Sequence, residues 1–240
     1  MEKKDKMRID KFVSKVYNLS RNDSRQFIKK NDFYINDIKV TKNDQLIDLD
    51  IDTVFLNKEA VNYKPLVYLM LNKPKGYLSA TSDDHYPTVI DLIKGYENYD
   101  LFMVGRLDLD TEGLLLITND GKFAHNLTSP KKDCLKKYYL ETDLPFEECD
   151  IETMKCGMEL YDGNGNLYLT KPATLEIISD CKAYLTISEG KYHQVKKMSK
   201  KVGKEVLYLK RVAIGSLSLD ETLDIGSFRP LSDEEVKSLK

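Results

Sequence analysis

The longest uninterrupted apolar stretches in this 240-residue chain, 66–71 and 114–117, are six and four residues long. A helix that crosses a bilayer needs about 20 consecutive apolar residues, so neither stretch can supply one. Both fit buried strands instead. Elsewhere, short apolar runs recur between Gly, Pro, Asn and Asp punctuation, and strands outnumber helices. That pattern places the chain in the α+β class, with a mixed sheet. A hydrophobic content of 41% with 15 Tyr provides enough apolar mass for a core, which excludes a disordered chain despite 32% charged residues.

The charged start, Met1 to Lys6, is not followed by the apolar stretch of a signal peptide, so a cytoplasmic protein is expected. The cysteines at 134, 149, 156 and 181 have no CxxC spacing, and His85, His125 and His193 are scattered. Neither a disulfide framework nor a metal site follows, and the cysteines are expected to be small buried apolar groups.

The formal charge of -2 conceals segregation. Residues 1–30 hold ten Lys/Arg against four Asp/Glu, and 191–211 hold eight against one. Residues 31–60 and 141–162 carry the compensating acids, with net charges of -4 and -7. Two separated basic blocks suit a protein that touches nucleic-acid phosphates in two places, or else they are solvated helix faces.

In the first block, Ile9, Phe12, Val13 and Val16 repeat at helical spacing. Ser20 is an N-cap for a second helix through Lys30, with Asp23 three residues on. Phe33-Tyr34-Ile35 and Ile38-Lys39-Val40 then flank an Asn36-Asp37 turn as a hairpin. Arg8 to Phe12, Ser20-Arg21 and the Tyr34 to Asp37 turn resemble the small RNA-binding module known as the αL motif. The motif's usual glycines are Asn and Asp here, residues that tolerate left-handed backbone. The resemblance implies that Arg8, Lys11, Arg21, Arg25, Lys29 and Lys30 face RNA backbone.

Residues 44–64 are acidic and lose pattern, so a linker is expected at about 55–64. Beyond it, strands are expected at 66–72, 101–107, 114–118, 136–141, 173–178, 183–188 and 206–212. Helices are expected at 88–94, after the Asn119-Asp120-Gly121 turn, at 145–157, at 192–202 up to Gly203, and after Ser232.

The densest polar cluster in an apolar setting is Gly105-Arg106-Leu107-Asp108-Leu109-Asp110-Thr111-Glu112-Gly113. Its acids mimic the start of a calcium-binding EF-hand loop, but position twelve is Asn119 where a bidentate Glu is needed, and strands flank it. From spacing alone it is a functional site or a polar loop in which Arg106 pairs with Asp110 or Glu112.

Val104 to Leu115 resembles the signature of pseudouridine synthases, in which the Asp after Gly-Arg-Leu is catalytic. Lys73-Pro74-Lys75-Gly76-Tyr77 resembles the family's first motif, Lys136-Lys137-Tyr138 its active-site Tyr segment, and Glu189 to Met198 its last motif. The N-terminal module, Lys171-Pro172-Ala173 and Lys191 to Lys196 look like the RsuA type, which acts on small-subunit (16S) ribosomal RNA. The resemblance implies a cofactor-independent isomerisation with Asp108 as the catalytic carboxylate, Lys196 as its counter-ion and Tyr138 stacked on the uracil. Arg106 would face the RNA as the target uridine is flipped out. Lys73 is expected to be a backbone or phosphate contact, and Lys197 to touch phosphates. Asp110 and Glu112 are read as structural.

The expected architecture is a small αL RNA-binding domain, residues 1–60, followed by a pseudouridine synthase domain, residues 61–240, with a mixed, mostly antiparallel central sheet. The expected partner is ribosomal RNA or the assembling small subunit, approached as a monomer, without a membrane. A large-subunit ribosomal RNA target, a non-catalytic ribosome-assembly factor and a metal-dependent RNA hydrolase are the competing readings.

Overall fold

A computed structural model describes residues 6–129 and 132–240, so residues 1–5 of the charged start lie outside the described residues. The chain forms two compact units, one of residues 1–65 with 95–100 and one of 66–94 with 101–240.

The first unit begins with strand β1 (Lys6–Arg8), followed by α1 (Ile9–Tyr17) and α2 (Arg21–Lys30). Ser20 caps α2 by accepting from the Asp23 amide at 3.1 Å. Then come β2 (Phe33–Ile35), β3 (Ile38–Lys39), β4 (Leu46–Asp48), β5 (Val54–Leu56) and β6 (Glu59–Val61). β1 pairs with β4, and the other four form a sheet in the order β3-β2-β5-β6. The expected hairpin at Asn36 is present, with Asn36 at φ 52. The expected linker is not: most of 55–64 is a second hairpin, β5–β6, turned by Asn57 and Lys58. Ile9, Phe12, Val13, Ile28, Phe33, Ile47 and Val54 form the core between helices and strands. The helical spacing puts the apolar face of α1 there.

The second unit holds β7 (Tyr68–Lys73), a single 3-10 turn (Val89–Leu92), β8 (Phe102–Val104), β9 (Glu112–Thr118), α3 (Gly121–Thr128) and β10 (Lys136–Thr142). It continues with α4 (Glu148–Cys156), β11 (Glu159–Tyr161), β12 (Leu167–Leu169), β13 (Thr174–Ser179) and β14 (Lys182–Ile187). Last are α5 (Gln194–Lys201), β15 (Val206–Ile214), β16 (Leu217–Ser218), β17 (Phe228–Pro230) and α6 (Asp233–Ser238).

A nine-stranded sheet runs β13-β14-β10-β15-β9-β7-β17, with β8 on β9 and β16 on β15. It is mixed and mostly antiparallel; β9 and β15 are the parallel pair. The two longest apolar stretches are the central strands β7 and β9, whose Leu69, Leu71, Leu115 and Ile117 are fully buried along with their neighbours on the other face. At the parallel join the Gly113 backbone has φ +99, and a Cβ there would lie 2.3 Å from the Arg211 carbonyl oxygen, so only glycine fits. The join fixes where the 105–112 loop re-enters the sheet.

The cysteines depart from expectation. Cys149 and Cys156 are exposed on α4, and Cys134 and Cys181 are half-buried; all four are free thiols. Asp150 and Met154 take the buried face of α4, and Cys149 and Cys156, seven residues apart, lie on its exposed face. Among the described residues no helix is long and apolar enough to cross a membrane.

Candidate active site

The polar loop between β8 and β9 leaves the sheet at Gly105, φ +74, and is propped from below by residues 73–79. Lys73 ends β7 fully buried, and its Nζ donates to the carbonyls of Pro74, Asp108 and Thr111 at 3.0, 3.0 and 2.9 Å. Ser79 Oγ donates to the Leu107 carbonyl at 2.8 Å and accepts from its amide at 3.1 Å, while the Gly76 amide donates to Leu109 at 2.8 Å. Lys73 is therefore not a phosphate contact. It holds the loop backbone from Asp108 to Thr111, and Ser79 holds Leu107 on the other side. Burial pushes its ammonium down to about 8, against the pull of Asp108, Asp110 and Glu112.

The turn before α5 is set by Gln194. Its Oε1 accepts from the Lys191 amide at 3.0 Å and its Nε2 donates to Glu189 Oε1 at 2.7 Å, an oxygen that also accepts from the Lys171 amide at 2.9 Å. His193 takes left-handed backbone, φ 53, as the last residue before the helix. The turn sets His193 Nε2 3.5 Å from Asp108 Oδ1, and Lys196 Nζ 3.5 Å from Asp108 Oδ2 and 2.5 Å from Asp110 Oδ1. Burial would raise the Asp110 carboxyl, but the hydrogen bond and charge of Lys196 outweigh it and hold Asp110 below the usual carboxylate range. One ammonium thus bridges two acids, and the Asp108 carboxylate keeps a flank open to solvent at 29% exposure.

Asp108 borders a cleft of about 410 Å³, lined also by Arg106, Tyr138, His193 and Lys196, with Ile187 and Leu209 supplying apolar walls. Tyr138 is buried in β10, between β14 and β15. A cationic rim, apolar walls, one aromatic ring and one carboxylate suit a planar polar base better than an extended apolar ligand.

Arg106 is exposed and pairs with no acid among the described residues, so the polar-loop alternative for it does not hold. Asp110 belongs to Lys196, and Glu112 accepts from the Tyr208 hydroxyl at 2.6 Å. Asp108 and Asp110 thus share Lys196 while Glu112 turns to Tyr208, and among the described residues no group of three or more His, Cys, Asp or Glu could hold a metal ion. Lys197 lies outside the cleft lining; its Nζ donates to the Tyr161 carbonyl at 2.8 Å and sits 4.9 Å from the Tyr192 ring.

Two further residues reach this region. His193 lies within the last motif, but its position depends on a left-handed turn that spacing does not reveal. Arg211 is 3% exposed and donates from Nε to the Leu114 carbonyl at 2.7 Å. An Arg in the middle of the apolar strand 206–214 was the available signal.

In the N-terminal unit, Arg8, Arg21 and Arg25 converge on the buried Asp10 carboxylate at 2.9, 2.6 and 3.3 Å while staying nearly half exposed. Burial would raise Asp10, and the three guanidiniums reverse that, holding it below its ordinary value. Lys11, Lys29 and Lys30 are exposed on the same two helices.

The sequence pattern of the RNA pseudouridylate synthase family matches residues 67–201. The chain is 42% identical to an uncharacterized RNA pseudouridine synthase of Bacillus subtilis, covering 97% of this chain and 98% of that one. It is 39% identical to the ribosomal small subunit pseudouridine synthase A of Salmonella typhimurium, covering 97% and 100%. A crystal structure of a pseudouridylate synthase superposes with a TM-score of 0.67 at 37% identity, covering 98% of this chain and all of the other. Likeness of this extent carries past the fold to the activity: the chain belongs to the RNA pseudouridylate synthase family and is a pseudouridine synthase.

Proposed function

We propose that the chain isomerises a uridine of small-subunit ribosomal RNA to pseudouridine, with Asp108 as the catalytic carboxylate. In this reaction the bond from ribose C1′ to uracil N1 breaks, the base turns in its pocket, C1′ bonds to C5, C5 gives up its hydrogen as a proton, and N1 takes up a proton. Nothing is oxidised or hydrolysed. The observation that carries the reading is the Asp108 carboxylate on the open flank of a cleft, with Lys196 and His193 each 3.5 Å away on separate oxygens. Nucleophilic or basic chemistry needs a carboxylate, and the Lys196 ammonium beside it supplies a counter-charge.

Tyr138 stacks on the detached uracil, and the exposed Arg106 occupies the gap left in the RNA when the uridine is flipped out. Lys196 is the counter-ion of Asp108 and, through Asp110, keeps the loop in place. The N-terminal unit acts as the αL-type RNA-binding module, with Arg8, Lys11, Arg21, Arg25, Lys29 and Lys30 on phosphates. Lys197 touches phosphate outside the base cleft. The small-subunit target rests on the full-length likeness to synthases of that name. Pseudouridine maps of ribosomal RNA from cells with and without this chain test it. The reading expects one site to vanish from small-subunit RNA; an unchanged small-subunit map with a lost large-subunit site overturns the substrate.

A further inference from the structure

A second cleft, of about 780 Å³, adjoins the first and shares Arg106, Tyr138, Gly190 and Lys191 with it. The shared residues make the two one continuous groove in the catalytic unit. Four cationic side chains, Arg106, Lys136, Lys191 and Arg211, line it against one carboxylate, Glu189. That carboxylate is already engaged by Gln194 and the Lys171 amide.

Two of the four cations are unusual. Arg211 is 3% exposed, and one of its terminal nitrogens, Nη2, has no hydrogen-bond partner among the described residues. Lys136 donates to the Cys134 carbonyl at 2.7 Å, and neither it nor Arg211 forms an ion pair among the described residues. Burial, with Arg211 close by, pushes the Lys136 ammonium below its ordinary value. Buried charges are ordinarily paired, and an orphaned guanidinium donor costs free energy. A pair of unpaired cations in the floor of a cleft is stabilised when an anion enters. The Tyr138 wall belongs to both clefts, so an anion there lies beside the base site. In an RNA strand the group that flanks every base is a phosphodiester.

We propose that this second cleft is a phosphate subsite that takes a phosphodiester next to the isomerised uridine, with Lys136 and Arg211 as its donors. Bound phosphate fixes the strand so that the flipped base enters against Tyr138 and Asp108. The site acts on binding and register rather than on bond breaking. It rests on the reading of Asp108 as the catalytic carboxylate acting on ribosomal RNA, and the test separates the two.

The full chain, Lys136→Met, Lys136→Arg and Arg211→Lys are assayed on transcribed small-subunit RNA, with initial rates followed against RNA and salt concentration. Lys136→Met is expected to raise KM about tenfold with a much smaller change in kcat, the loss of one charge-assisted contact. The slope of log KM against log salt should fall by about one, and Lys136→Arg should restore both. Arg211→Lys keeps the charge but not the fork, and should raise KM by a smaller factor. In parallel, inorganic phosphate is titrated by 31P line broadening, with broadening expected for the wild type and reduced for Lys136→Met. Wild-type KM and salt slope in Lys136→Met overturn the subsite and leave the catalytic reading standing. Where no variant modifies the transcript, the small-subunit assignment fails, and the phosphate titration alone decides: broadening unaffected by Lys136→Met, or absent from the wild type, overturns the subsite.

Discussion

Lys73 shows how a single buried charge can serve a site without touching substrate. Its carbonyl partners hold the loop from Asp108 to Thr111, and desolvation of the ammonium outweighs the pull of the neighbouring acids. Its folded value of about 8 lies below the ordinary 10.5, so the folded chain gives up this proton first as pH rises. Between those values the unfolded chain binds more protons, and stability must rise with pH. The urea midpoint of the wild type should therefore climb from pH 8 to 10 relative to Lys73→Met; parallel profiles would contradict the assigned burial. The residue was visible in the sequence as part of Lys73-Pro74-Lys75, a spelling that left a backbone and a phosphate contact both open. Nothing in that spelling says that β7 ends beneath the loop 35 residues further on.

At the scale of elements, the legible pieces were those whose burial is locally written. β7 and β9 are covered on both faces, so their apolar runs are continuous, and α1 and α2 carry a helical period and a Ser cap. The β5–β6 hairpin was missed for a physical reason. Its strands have three residues each, and its turn places Asn57 and Lys58 at φ 51 and 75, where glycine would have announced the turn. The site was only partly legible: Lys196 and Asp110 are 86 residues apart, and no spacing rule joins α5 to the β8–β9 loop.

The pair α1–α2 also yields a prediction that opposes simple electrostatics. Asp10 splays three guanidiniums from one buried carboxylate, which would pre-organise them for the proposed phosphate contacts. Asp10→Asn adds net positive charge, yet it should weaken binding of the full chain to a ribosomal RNA transcript by roughly tenfold, because the arginine array loses its anchor. Filter binding measures this, with far-UV circular dichroism confirming the fold. Unchanged or tighter binding would show that charge alone, and not its arrangement, governs the interaction.

For the whole molecule, the near-neutral charge is a sum over segregated parts. The basic block of 1–30 lies in the N-terminal unit with the Asp10 array, and that of 191–211 supplies Lys196 and Arg211 to the catalytic unit. The acids that cancel them lie elsewhere in the sequence, notably in 141–162 around α4. Two basic blocks and one carboxylate cleft fit the proposed function, in which the chain would hold RNA by its backbone and act on one base. The direct test of that account is a comparison of the purified wild type with Asp108→Asn on transcribed small-subunit RNA. Pseudouridine is scored by carbodiimide labelling and primer extension, with RNA binding measured alongside. The account predicts a new stop with the wild type, none with Asp108→Asn, and binding of both within about threefold, since one carboxylate at the cleft mouth contributes little to backbone affinity. An undiminished stop from Asp108→Asn would contradict it.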